Sequence, residues 1–189
     1  MLIIITVILV SIFIIFSWYL STYNDLVSSE NFIDHAFSGI DVQLTKRYDL
    51  IPNLVSVVKN YMVHERETLT EITALRSKAV SGKLSSDEKI ALDNKISGAL
   101  GQISIAVENY PNLQASSNFL HLQATLNEVE AQLSASRRSF NSAVTSYNNK
   151  VEMFPSSIVA SRMGLKERQW FKAPEMKRGV VNVGALFNN

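Results

Sequence analysis

Apolar positions fall into two regimes along this chain. From Met1 to Leu20 they are almost continuous and no charge interrupts them, whereas from Tyr23 onward they recur every three or four residues among polar ones. As a helix, Leu2 to Leu20 would span roughly 28 Å, close to the hydrocarbon thickness of a bilayer. The segment lacks the basic n-region and small-x-small cleavage site of a signal peptide, so it reads as a retained anchor. Trp18 and Tyr19 stand at its end, where an interfacial aromatic belt belongs. The first basic residue is Lys46, preceded by Asp25, Glu30, Asp34 and Asp41. This asymmetry gives an expected topology with the amino end in the cytosol and the following domain outside it.

A heptad written from Tyr23 places Tyr23, Glu30, Phe37, Leu44, Ile51, Val58, Glu65, Ile72 and Ala79 at one seam position. It places Leu26, Ile33, Ile40, Arg47, Leu54, Tyr61, Thr68 and Leu75 at the other. Spacings of three and four on one narrow face predict a helix buried along that face. Pro52 lies inside the pattern without changing its phase, which predicts one kinked helix from Tyr23 to Ala79; a full reversal at Pro52 is the rival. Ser85 with Glu88 forms a capping-box signature opening a second helix, whose stripe Leu92, Ile96, Leu100, Ile103 and Val107 stops at Pro111. A third helix, from about Ala115, aligns Phe119, Leu122, Leu126, Val129, Leu133, Phe140, Ala143, Tyr147 and Phe154, with Pro155 beyond.

The fold class is therefore all-α: an N-terminal transmembrane helix over residues 1–22, a long antiparallel helical bundle over 23–160, and a C-terminal tail over 161–189. A continuous first helix would outrun its neighbours, leaving Ile33, Phe37, Ile40 and Leu44 to be covered by another copy of the chain. These four are the expected oligomer seam.

Charges occupy several positions where apolar residues belong. Arg47 and Glu65 lie on the stripe of the first helix, and Glu130 and Arg137 flank the aromatic stripe of the third. An unpaired buried charge costs several kcal/mol, about 3–5 when one partner of a pair is removed, so an interhelical network of Arg47, Glu65, Arg76, Glu130 and Arg137 is expected. Such a network can simply set helix register. A ligand or partner pocket lined by Arg47, Asp49, His64, Glu65 and Arg76 is the alternative.

Composition removes other classes. The chain has no cysteine, which excludes disulfides, thiol catalysis and Cys-type zinc sites. Its 18 basic and 17 acidic residues leave a net charge of +1, with no overall field to attract nucleic acid. None of His35, His64 and His121 stands three residues after a glutamate, so the Glu-x-x-His pattern of di-metal bundles is missing. No enzymatic activity and no cofactor are expected.

The run Asp41 to Tyr61, continuing through His64-Glu65-Arg66-Glu67-Thr68-Leu69, resembles the LemA family of bacterial membrane proteins. Similar stretches are Tyr23-Asn24-Asp25-Leu26-Val27, Glu108 to Leu113, Asn118-Phe119, Glu130, Arg137-Arg138, Phe140-Asn141, Val144, Tyr147-Asn148 and Phe154-Pro155. The resemblance covers about residues 22 to 165. It implies an N-terminal transmembrane helix, a long all-α bundle and no established enzymatic activity; some relatives are associated with building specialised bacterial membranes. The chain departs from the family after Gly164, where Lys166, Arg168, Lys172, Lys177 and Arg178 make the tail basic. Interleaved with Trp170 and Phe171, these bases suit an anionic membrane surface, or else the aromatic residues cover the end of the bundle. Together these features describe a single-pass protein of the bacterial inner membrane whose partners are the lipid bilayer, further copies of itself and an envelope protein. Its expected role is a self-associating scaffold, with a monomeric adaptor or sensor as the alternative.

Overall fold

The computed structural model describes residues 1–82 and 84–171. Its elements are α1 (Leu2–Val58), α2 (Arg66–Ser81), α3 (Ser86–Val107), α4 (Pro111–Gln114), α5 (Ser117–Glu152) and α6 (Ser156–Met163), with no strand among the described residues. The first part of α1 is apolar and wholly exposed, and by length and composition it can cross a membrane. Burial begins at Leu26 and continues through Ile33, Ile40, Leu44, Arg47, Ile51, Leu54 and Val58. The heptad read from the sequence is thus the buried face of α1.

Helix α1 passes through Pro52 unbroken and ends at Val58. This corrects both sequence-based expectations for the first helix. The chain neither reverses at Pro52 nor continues to Ala79; it turns between Lys59 and Glu65, where Met62 is buried and its amide donates to the Val58 carbonyl at 2.9 Å. Proline lacks the N–H that would bond the carbonyl four residues back. That carbonyl belongs to Tyr48, and it accepts from Arg76 Nε of α2 at 3.2 Å. A side chain from the returning helix supplies the bond that Pro52 removes.

Helix α2 packs back on α1, and α3 returns parallel to it, as Lys89–Asp41 and Arg47–Asp93 pairs at 2.6 and 2.8 Å require. The capping box at Ser85 and Glu88 forms as expected, with bonds of 2.9 and 3.3 Å between amides and side chains. Pro111 opens the single turn of α4, and α5 then runs antiparallel along α1 for 36 residues, roughly 54 Å. At one end of this pairing Lys150 meets Asp25 at 2.7 Å. Farther along, a Cβ on Gly39 would stand 4.0 Å from Ser136 Oγ.

The α1–α5 pairing removes the premise of the oligomer seam. Ile33, Ile40 and Leu44 are buried within this one chain, and Phe37 meets Phe140 edge-on at 5.7 Å between ring centroids. The sequence reading treated the third helix as too short to reach them, whereas antiparallel entry from the far end of the bundle brings its second half alongside. A separate cluster of Leu26, Val159 and Ala160, joined by Tyr19 and Met163, fastens α6 to α1 beside the anchor.

This pairing predicts that the double variant Gly39→Cys/Ser136→Cys, in a chain otherwise free of cysteine, forms its disulfide within a single chain. Non-reducing electrophoresis should show a faster-migrating monomer; a cross-linked dimer would instead place the seam between copies.

Candidate functional site

Midway along the bundle, three helices converge on four charges. Arg47 of α1 donates from Nη1 to Asp93 Oδ1 and to Ser97 Oγ, both at 2.8 Å. Arg137 of α5 donates from Nη2 to Asp93 Oδ2 and from Nη1 to Glu130 Oε1, the latter at 3.4 Å. Glu130 Oε2 is 3.2 Å from Arg47 Nη2 but is too poorly aligned to accept a hydrogen bond from it. Two guanidiniums and two carboxylates leave no net charge. Asp93, wholly buried, is held by both arginines, and the fork of a guanidinium suits such shared recognition of a carboxylate.

The sequence-predicted network is therefore split. Arg47, Glu130 and Arg137 come together, while Glu65 and Arg76 act elsewhere. Glu65 accepts from the Tyr110 hydroxyl at 2.8 Å, tying the α1–α2 turn to the end of α3, and this bond raises the Tyr110 phenol above its usual range. Arg76 serves the Tyr48 carbonyl. Asp49 and His64 are exposed, so the pocket of Arg47, Asp49, His64, Glu65 and Arg76 does not form. Asp93 was missed although it fits the stripe Ile96, Leu100, Ile103 and Val107 at three- and four-residue spacing. Two arginines facing one glutamate also required a second anion. Beside the network, burial and then the charge of Asp93 push the Tyr48 phenol far up, so it stays protonated.

Helix α3 stands off from α1 and α5, leaving a groove of about 280 Å³ over the network. Its walls are Leu54, Leu100, Ile103, Phe119 and Leu126, with Arg47 and Glu130 at one end and Gln123 and Asn127 along the rim. Gly101 lines it, and a Cβ added there would meet nothing within 4 Å. A larger, more open depression of about 700 Å³ lies outside the α1–α2 turn, between residues such as Val55, Lys59, Arg66 and Thr70. The smaller groove is the stronger candidate because three helices shape it and the buried, doubly held Arg47 lies in its lining. Among the described residues no cluster of three or more His, Asp or Glu side chains is arranged to hold a metal.

The remaining predicted site residues lie at the end of the anchor and in the tail. Trp18 and half-buried Tyr19 stand where the anchor meets the bundle. Trp170 and Phe171, expected at a membrane surface, lie elsewhere. Phe171 is buried, its ring 4.8 Å from the Arg137 guanidinium carbon, and Trp170 Nε1 donates to Thr145 Oγ1 at 2.9 Å. By the α1–α5 register, Phe171 sits roughly 20 Å beyond Leu20. The tail takes this course because Gly164, at φ 70°, ends α6 in the left-handed region and turns the chain back along α5. Two asparagines then grip its backbone. Asn148 exchanges bonds of 2.9 and 3.0 Å with the Arg168 amide and carbonyl, and Asn141 exchanges bonds of 2.7 and 3.0 Å with those of Phe171. Lys172, Lys177 and Arg178 lie outside the described residues, as does the rest of the expected basic surface beyond Phe171.

Comparison with known proteins identifies relatives of this chain. The LemA family model matches residues 36–184. The chain is 28% identical over 170 residues to Protein LemA of Metamycoplasma hominis, an alignment covering 90% of this chain and 78% of that protein. It is 24% identical to Magnetosome protein MamQ 2 of Paramagnetospirillum magneticum, covering 81% of this chain and 65% of the relative. Magnetosome protein MamQ of Magnetospirillum gryphiswaldense is 23% identical, with 80% and 65% covered. The chain thus spans a little under two thirds of the length of the MamQ proteins.

The network predicts that Asp93→Ala, which leaves two arginines facing Glu130 alone, destabilises the bundle by about 3–5 kcal/mol. A fall in the urea midpoint at unchanged slope measures it.

Proposed function

This chain belongs to the LemA family, and we propose that it is a membrane-anchored, non-enzymatic adaptor that presents the α3–α5 groove to an apolar segment of an envelope protein. One observation carries this reading: a single unbroken helix runs from the apolar anchor to the floor of the groove, where it contributes Arg47 and Leu54. Arg47 stands roughly 40 Å along that helix from Leu20. The groove is thereby held at a fixed height above the bilayer. Its size suits one or two apolar side chains rather than a large ligand, as when a partner helix lays its apolar face into a hydrophobic groove. Arg47 and Glu130, the charges that line it, offset each other, so affinity would come from apolar contact and selection from the polar rim of Gln123, Asn127 and Glu130.

In this reading the bundle lies outside the cytosol, on the outer face of a bacterial inner membrane. Self-association through α1 loses its driving force, because its apolar face is already covered by α5. The mycoplasma LemA protein and the MamQ proteins support a membrane setting for this bundle, while the adaptor role rests on the groove.

The test is a photo-cross-linking side chain at Asn127, activated in intact cells. An adduct with a different protein is expected, and it should vanish in Gly101→Trp, which fills the groove from an open position without lowering the melting temperature. An adduct with a second copy of the chain, or one that survives Gly101→Trp, would reject the adaptor reading.

A further inference from the structure

We propose that the corner between α5 and α6 is a second membrane contact, an apolar wedge resting in the interfacial layer of the bilayer beside the anchor. Met153, Phe154 and Ile158 are 61%, 81% and 48% exposed. Single exposed apolar residues are ordinary on a protein surface, but three within six residues at one end of a bundle form a patch that calls for an apolar neighbour.

The register of α5 on α1 fixes where this patch lies. Lys150 pairs with Asp25, α5 ends two residues later at Glu152, and Phe154 lies in the turn just past that end on the anchor side, near the level of Ser21 to Asp25. Helix α6 is held at this height by Val159 and Ala160, packed on Tyr19 and Leu26 of α1. The hydrocarbon core of a bilayer is about 30 Å thick and the whole bilayer about 40–45 Å, leaving an interfacial layer of several ångströms on each side. If Leu2 to Leu20 fill the hydrocarbon, Phe154 falls within that layer.

The outward face of α6 has the order expected of a helix lying at a membrane surface. Ile158 turns away from the buried Val159 and Ala160, and Arg162 follows one turn later on the same exposed side, able to reach headgroup phosphates. The neighbouring acid, Glu152, is raised above the usual carboxylate range by the charge of Glu167. The occupant is a lipid surface because the patch stands beside the anchor: α6 packs on Tyr19 and Leu26 of α1, the helix that continues from the anchor without a break. A single helix could rotate about its own axis within the membrane, and an off-axis wedge would oppose that rotation.

The experiment uses the full chain, which has no native cysteine, in phosphatidylcholine vesicles. Phe154→Cys and Ile158→Cys are labelled with an environment-sensitive fluorophore and compared with Ile105→Cys, which is 69% exposed at the far end of the bundle. Aqueous iodide should quench positions 154 and 158 several-fold less than position 105, and a nitroxide carried on lipid should quench the first two alone. Iodide quenching at 154 equal to that at 105 would overturn the proposal. Protection from iodide without lipid quenching, together with a disulfide-linked dimer of unlabelled Phe154→Cys, would assign the patch to a second copy and overturn it as well.

Discussion

Antiparallel pairing imposes a length constraint, and in this protein the pairing of α1 with α5 meets it. Outside the anchor α1 continues for roughly 57 Å, and the 36 residues of α5 supply roughly 54 Å of partner. Near equality lets one apolar face cover the other from Leu26 to the end of the bundle. The rest of the fold is arranged around this pair: α2 and α3 thicken its far half, while α6 and the returning tail thicken the half beside the anchor. Had α5 ended two turns sooner, Lys150 would be lost from Asp25 and the stretch of α1 beside the anchor would lack its partner.

Where the bundle is thickest, α3 is joined to the pair by charge as well as by apolar packing. A wholly buried carboxylate is costly unless it is well paired, and Asp93 is paired twice. That arrangement specifies register sharply. Sliding α3 by one turn would separate Asp93 from both guanidiniums at once, whereas apolar neighbours could exchange partners at small cost. The standoff of α3 that accommodates two long arginines also leaves the groove. The device fixing the third helix and the candidate binding surface therefore share one origin.

Much of this was legible in the sequence because it rests on periodicity and punctuation. The anchor, the buried face of α1, the capping box at Ser85, the stop at Pro111 and the end of α5 before Pro155 all carry local signals. The turn after Val58 carries none, since Lys59 to Glu65 contain neither glycine nor proline. The seven-residue spacing from Val58 to Glu65 and Ile72 also continues across the reversal, so two helices imitate one. Pro52 misled in the opposite sense, because the group that offsets it, Arg76, lies on another helix. Asp93 was concealed beside Leu92, which fits the same stripe. The course of Phe171 was hidden because an irregular segment gripped through its backbone has no periodicity to read.

Two rulers of different pitch coincide at that segment. Asn141 and Asn148 lie seven residues apart on a helix, about 10.5 Å, and the backbone groups they hold are three residues apart in an extended chain, about 10 Å. Both clasps address amides and carbonyls, which every residue but proline offers alike. The side chains of the tail add contacts of their own, with Phe171 buried beside Arg137 and Trp170 bonded to Thr145. Because these clasps hold backbone rather than side chains, the path of the tail along α5 is set independently of the contacts its side chains then make, that of Arg168 with Glu30 of α1 among them.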